Sequence, residues 1–125
     1  MHVRIEHLSR QGWTPNTAFE PEFSLLKPGT GFGGQLAPCD RNDTLAKPCH
    51  GYGNKGLSRT SAFLGRLPNG MRASGIDVFR IEHEDAKCQF EMNYPCTDAF
   101  TSCDHFVFLR KAASHEQVAM NTSPR

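Results

Sequence analysis

Four acidic side chains and a histidine fall within ten residues, at Glu82, His83, Glu84, Asp85 and Glu91, and an acidic pair sits upstream at Glu20 and Glu22. In the first stretch Phe79 and Ile81 alternate with Glu82 and Glu84, and further on Gln89 and Glu91 alternate with Phe90 and Met92. That pattern predicts two short strands joined by a tight turn. Side chains in a strand alternate between faces, so the hairpin has one apolar face and one carboxylate face. Carboxylates crowded together repel and do not all stay ionised without a cation. The chemistry they offer is to hold a hard divalent ion, Mg²⁺ or Mn²⁺, through oxygen.

The upstream segment follows the same logic. Glu20 and Glu22 are two apart and share a strand face, while Phe19 and Phe23 share the other. Pro21 removes one backbone donor, which suits a sheet edge or strand end. If both segments enter one sheet, Glu20, Glu22, Glu84 and Glu91 converge. The competing reading is a strand pair whose wet face happens to be acidic. The two segments together favour metal, because Glu is a poor strand former and wet faces more often use Thr, Lys and Ser.

The elements that must position these residues follow from the remaining pattern. Residues 1–12 read as the tail of a helix and 13–26 hold the first strand. From 27 to about 55 glycines, prolines and polar residues make a long loop, a length that is usually functional or mobile in a compact domain. Gly29, Gly31, Gly33 and Gly34 lack the strand-to-helix context of a phosphate cradle. Helical spacing of Leu57, Phe63, Leu64, Leu67 and Met71 predicts a helix over 57–73, stopped or kinked near Leu67 because Pro68 costs about 3 kcal/mol inside a helix. The hairpin spans 76–93. Thr97 or Asp98 caps a last helix with Phe100, Cys103, Phe106, Val107 and Arg110 on one face and Phe108 alongside. The polar tail after about Glu116 is expected to fray.

The fold class expected is α+β: part of a curved antiparallel sheet with helices on its apolar face. Its core is expected to hold Phe19, Phe23, Phe79, Ile81, Phe90, Met92, Phe106 and Val107. The sheet would leave open edges, which invite association.

Composition bounds the rest. The 125 residues make one small domain. A net charge of +1 gives no general pull toward nucleic acid or anionic membrane. There is no apolar run of membrane-spanning length and no signal-peptide core, so a cytoplasmic chain is expected. The five cysteines, Cys39, Cys49, Cys88, Cys96 and Cys103, include no CxxC pair and read as scattered reduced thiols. Cys49-His50 alone does not make a soft-metal site.

At the acidic segments the chain resembles the glutamine synthetase family. Glu20-Pro21-Glu22-Phe23 matches that family's first metal-ligand strand. His83-Glu84-Asp85-Ala86 with Gln89-Phe90-Glu91-Met92-Asn93 matches its metal-binding hairpin. Asp43-Thr44-Leu45-Ala46-Lys47-Pro48-Cys49, Gly56-Leu57-Ser58-Arg59 and Thr97-Asp98-Ala99-Phe100-Thr101 resemble the segments around them. The resemblance runs from about Gly12 to Ala113. It implies an ATP-dependent glutamate–ammonia ligase: ATP phosphorylates the side-chain carboxylate of glutamate, and ammonia displaces phosphate from the acyl phosphate. It implies that Glu22, Glu84 and Glu91 bind one Mg²⁺ or Mn²⁺, and that Glu20 helps bind a second ion nearer the ATP phosphates.

Beside this, alternation turns His83 to the other face, Asp85 reads as a turn-capping residue, and Lys47 as a solvated loop lysine. Cys88 stands where the family usually has glycine, which costs little only at negative φ. Family motifs for the second metal's histidine and last glutamate, the glutamate loop and the phosphate-gripping arginines have no match among these residues, nor does the family's small N-terminal β domain. Residues 1–125 are therefore expected to be part of a catalytic domain, inactive alone, that completes a site only in a homo-oligomer or beside a full-length subunit. The alternatives are a non-catalytic metal-binding or subunit-interacting descendant, or a truncated product without independent function.

Overall fold

The computed structural model describes residues 2–27, 37–39 and 51–122, the side chains of Lys55 and 117–122 excepted. In chain order they form α1 (His2–Arg10), β1 (Asn16–Thr17), β2 (Glu22–Ser24), α2 (Asn54–Arg59), α3 (Ser61–Ala73), β3 (Arg80–His83), β4 (Gln89–Asn93), β5 (Thr97–Asp98) and α4 (Ala99–Thr122). The architecture is α+β, as the sequence pattern predicts. β2, β4 and β3 form an antiparallel sheet in that order, and β1 pairs with β5 in a smaller one.

The apolar face of the larger sheet packs on α3 and α4. Register places Phe23, Phe90 and His83 in one row and Ile81 beside Met92 in the next. Phe63 of α3 meets Phe23 at 5.9 Å between ring centroids, and Phe23 meets Phe90 at 6.1 Å. Phe63, Leu64, Leu67 and Met71 complete the buried layer, with Leu109 of α4 behind them. Phe19 stacks on Phe106 at 5.0 Å, so both belong to the edge of this layer. Among the described residues no strand pairs with the outer edge of β3, and the outer edge of β2 gains only a bridge from Leu26 to Pro38.

Four local expectations are corrected. Phe79 is 64 % exposed, because strand pairing starts at Arg80 and the alternation slips one residue before it; Ile76 and Val78 are buried instead. Val107 is 53 % exposed. The inward stripe of α4 runs through Ala99, Ser102, Phe106, Leu109 and Ala113, and Val107 stands two residues from Leu109, about 200° round the helix. Pro68 does not stop the helix, since α3 continues to Ala73. The proline sacrifices one backbone bond, but it is itself buried with Leu64, Leu67 and Met71, and each such side chain contributes about 1.5–3 kcal/mol. The interruption falls at Thr60, whose hydroxyl donates to the Gly56 carbonyl. Lastly, α4 remains helical through Thr122, two residues short of Pro124, rather than fraying after Glu116.

Turns close these elements with specific residues. Past the end of α3, Gly75 takes φ +82° while Ile76 and Gly75 donate to the Met71 and Arg72 carbonyls, the pair of hydrogen bonds that terminates many helices. Cys88 ends the hairpin turn at φ +54°, so the condition for a cheap side chain there is not met, and the conformation costs about 1–2 kcal/mol. α4 begins at Asp98, whose carboxylate accepts from the amides of Phe100 and Thr101 and from the Thr101 hydroxyl. Those bonds, that of the Thr101 hydroxyl foremost, hold the Asp98 carboxyl below its ordinary value. Ser102, fully buried, donates to the Thr17 carbonyl and ties α4 to β1.

Candidate metal centre

Strand register builds the wet face of the sheet. Glu22 pairs with Glu91, and Glu91 pairs with Glu82, so three glutamates stand abreast. Glu84 lies one step past β3, where its amide donates to the Gln89 carbonyl at 2.9 Å and keeps it beside β4. One carboxylate oxygen from each of Glu22, Glu84 and Glu91 lies within 4.8 Å of the other two. Glu82 is drawn out of this group by Arg80, which pairs with its Oε1.

Neighbouring side-chain amides orient two of the three carboxylates. Gln89 Nε2 donates to Glu22 Oε2, and Asn93 Nδ2 donates to Glu91 Oε1 at 2.6 Å. Tyr52 approaches from outside the sheet. Its amide donates to the His83 carbonyl at 3.0 Å, it takes φ +58°, and its phenol lies within the influence of Glu84. The charge of Glu84 raises the phenol's pKa, with partial desolvation, Asp85 and Glu22 acting in the same direction. Gly51 permits this approach: a Cβ there would stand 2.7 Å from Asp85 Cα.

Three anions at this spacing repel by about 1 kcal/mol per pair even in water. The donors are all carboxylate oxygens, which suits Mg²⁺ or Mn²⁺ and gives nothing to a metal that prefers sulfur or imidazole. Glu22 is exposed while Glu84 and Glu91 are half-buried. The site therefore opens to solvent on the side of Glu22.

The other candidate residues fall elsewhere. Glu20 is exposed on the link before β2 and outside the group of three. The strand starts at Glu22, so the alternation argument does not reach across Pro21. His83 is buried on the apolar face, edge-on to Phe90 at 5.3 Å. Its Nδ1 has no hydrogen-bond partner among the described residues. Asp85 is exposed in the turn. Lys47, Cys49-His50 and the glycines at 29, 31, 33 and 34 lie outside the described residues. Tyr52 and Asn93 were not singled out as site residues. Tyr52 sits between two glycines in a stretch that reads as loop, and nothing in its spacing ties it to Glu84.

Comparison with known proteins agrees with this arrangement of elements. Residues 2–122 match the model of the glutamine synthetase catalytic domain. A glutamate--methylamine ligase of Methyloversatilis universalis is 51 % identical over 111 residues, covering 89 % of this chain and 24 % of that protein. A glutamine synthetase of Rhizobium meliloti is 30 % identical over 106 residues, 85 % of this chain and 23 % of that protein. A solved structure described as a GmaS/ADP complex superposes with a TM-score of 0.80 at 26 % identity, over 95 % of this chain and 26 % of its own. The chain thus spans about a quarter of the length of the relatives it matches. On the strength of that match, which runs nearly from end to end, the chain belongs to the glutamine synthetase family and carries part of its catalytic domain.

Proposed function

We propose that this chain supplies the carboxylate metal centre of an ATP-dependent ligase that joins an amine to the side-chain carboxylate of glutamate. The observation that carries the reading is the convergence of Glu22, Glu84 and Glu91 within 4.8 Å on one wet sheet face. These three would hold one Mg²⁺ or Mn²⁺. Glu20, two residues before the start of β2, would serve a second ion nearer the ATP phosphates. When bound, such ions supply charge neutralisation for the phosphoryl group moving from ATP to the acceptor carboxylate. Gln89 and Asn93 hold the side chains of Glu22 and Glu91 and so help to preorganise the cluster. β4 contributes Glu91 and β2 contributes Glu22 through a fixed register, which keeps their spacing independent of loop motion.

The amine is the finer question. The family resemblance alone implies ammonia. The 51 % identity to a glutamate--methylamine ligase, against 30 % to a glutamine synthetase, favours methylamine. The competing reading is an acidic wet face that holds no ion. Calorimetric titration with Mn²⁺ separates the two: one weak site, weakened at least tenfold by Glu91→Gln, supports the metal centre, and equal responses of wild type and variant overturn it. The amine is tested by replacing the matching segment of the Methyloversatilis universalis ligase with this chain. Phosphate release with ATP, glutamate and methylamine is expected; a chimera that works only with ammonium reverses the amine assignment.

A further inference from the structure

We infer that Cys39 and Cys88 are a reversible disulfide pair that fastens the segment around Cys39 to the turn of the acidic hairpin. The two Sγ atoms lie 3.2 Å apart although 49 positions separate the residues in sequence. A disulfide needs an S–S distance of about 2.05 Å, so closure asks for a movement of little more than 1 Å. The backbone already holds both partners against one residue. The Leu25 amide donates to the Cys88 carbonyl at 2.9 Å, and the Leu25 carbonyl accepts from the Cys39 amide at 3.1 Å. A further bond from Lys27 to the Ala37 carbonyl and the bridge between Leu26 and Pro38 keep the Cys39 segment in place.

The residue choice at position 88 is the second observation. Its backbone stands at φ +54°, where glycine is the cheap solution. A buried cysteine in that conformation, only 3 % exposed, places its thiol against Cys39 instead. The two differ in access as a reacting pair requires, since Cys39 is half-buried and Cys88 is buried. With a low-molecular-weight disulfide as oxidant, the Cys39 thiolate attacks one of its sulfurs and forms a mixed disulfide. The first small thiolate departs and takes up a proton. The Cys88 thiolate then attacks Cys39 Sγ and expels the second small thiol. Two protein thiols are oxidised and one small disulfide is reduced to two thiols.

The link acts where the carboxylates are set. Cys88 precedes Gln89, whose carbonyl accepts from Glu84 and whose side chain bonds both the Ala86 amide and Glu22. Oxidation would therefore stiffen the turn between Glu84 and Glu91. The inference does not depend on a metal at those glutamates.

The folded chain in mixtures of reduced and oxidised glutathione tests it. Thiol titration is expected to fall from five to three and to return to five with dithiothreitol. Cleavage with trypsin and glutamyl endopeptidase cuts after Arg41, Lys87 and Glu91, which separates Cys39 from Cys49 and Cys88 from Cys96. Mass spectrometry should then find one cross-link, Cys39 to Cys88, lost when the chain is oxidised in urea. The cross-linked chain should melt on the order of 10 °C higher than the reduced one. Cys88→Gly should lose the cross-link and the oxidation-dependent shift, while its reduced form melts no lower than reduced wild type, because glycine relieves the positive φ. Cross-links from Cys88 to Cys49, Cys96 or Cys103, or glutathione adducts on Cys39 and Cys88 without a cross-link, would overturn the inference.

Discussion

The two faces of the β2-β4-β3 sheet are made by the same strands and do opposite things. On the apolar face Phe23, Phe90 and His83 align in one row and close against Phe63. On the wet face the row of Glu22, Glu91 and Glu82, with Glu84 one step along beside Gln89, gathers like charges. One register produces both, because a shift of one residue would exchange the faces. The burial of the first row fixes the register, and the register then imposes the spacing of the second. The inner face thus supplies stability, while the outer face uses some of it to hold carboxylates closer than they would choose.

The strongest way to break this relation is to remove the anchor of the register. Phe90 is fully buried and touches Phe23 and His83. Phe90→Ala should cost about 3–5 kcal/mol, measured by urea unfolding. Loss of less than 1 kcal/mol would mean that the inner row does not fix the pairing. An intermediate effect is expected at Gly56, where a Cβ would stand 2.0 Å from His83 Cδ2. The His83 ring is buried and has little room to yield, so Gly56→Ala should cost about 1–3 kcal/mol. Gly65 in α3 has nothing within 4 Å of a built Cβ, and Gly65→Ala there should stabilise by about 0.5–1 kcal/mol. If the two alanines behave alike, contact with His83 is not what position 56 requires.

On the wet face the sign reverses. Glu91→Gln removes one anion from the group of three and keeps an acceptor for Asn93. Without metal the variant should be as stable as wild type or about 0.5–1 kcal/mol more so, by relief of repulsion. With Mn²⁺ its melting temperature should rise less than that of wild type. A variant clearly less stable in the absence of metal would place Glu91 among the stabilising residues and dissolve the contrast between the faces.

The hairpin was legible because its information is local. Period-two alternation through Ile81, Phe90, Glu91 and Met92 carries the pairing, and four residues of turn leave little freedom. Glu22 could be added because the same pattern recurs around it. What failed depends on phase and on tertiary context. Phe79 and Ile81 look alike in sequence, but only pairing tells where the alternation begins, and it begins at Arg80. Pro68 carries a strong local penalty, and burial of the helix face that includes it overrides that penalty. Val107 fits one plausible helical stripe, yet the stripe that packs is set by Ser102 and Leu109. The Tyr52 phenol and the Cys39 thiol reach the hairpin from distant chain positions, and no spacing rule connects such pairs.

A similarly small effect lies off both faces, where β5 turns into α4, and it tests whether acid sensitivity can be traced to a capping residue. Asp98 receives three hydrogen bonds, from the Thr101 hydroxyl and from the amides of Thr101 and Phe100. They favour the charged form, so its carboxyl titrates below the ordinary 3.8. A carboxyl lowered in the folded state stabilises the fold at every pH above its unfolded value, and that contribution disappears as pH falls through the folded value. Asp98→Ala should therefore lower the melting temperature by roughly 2–4 °C at neutral pH, as expected of a lost helix cap. The difference from wild type should hold steady down to about pH 5 and shrink below pH 4. Melting curves of both proteins across that range decide it. A difference that grows on acidification would mean that the cap favours the protonated carboxyl, contrary to the direction of its three donors.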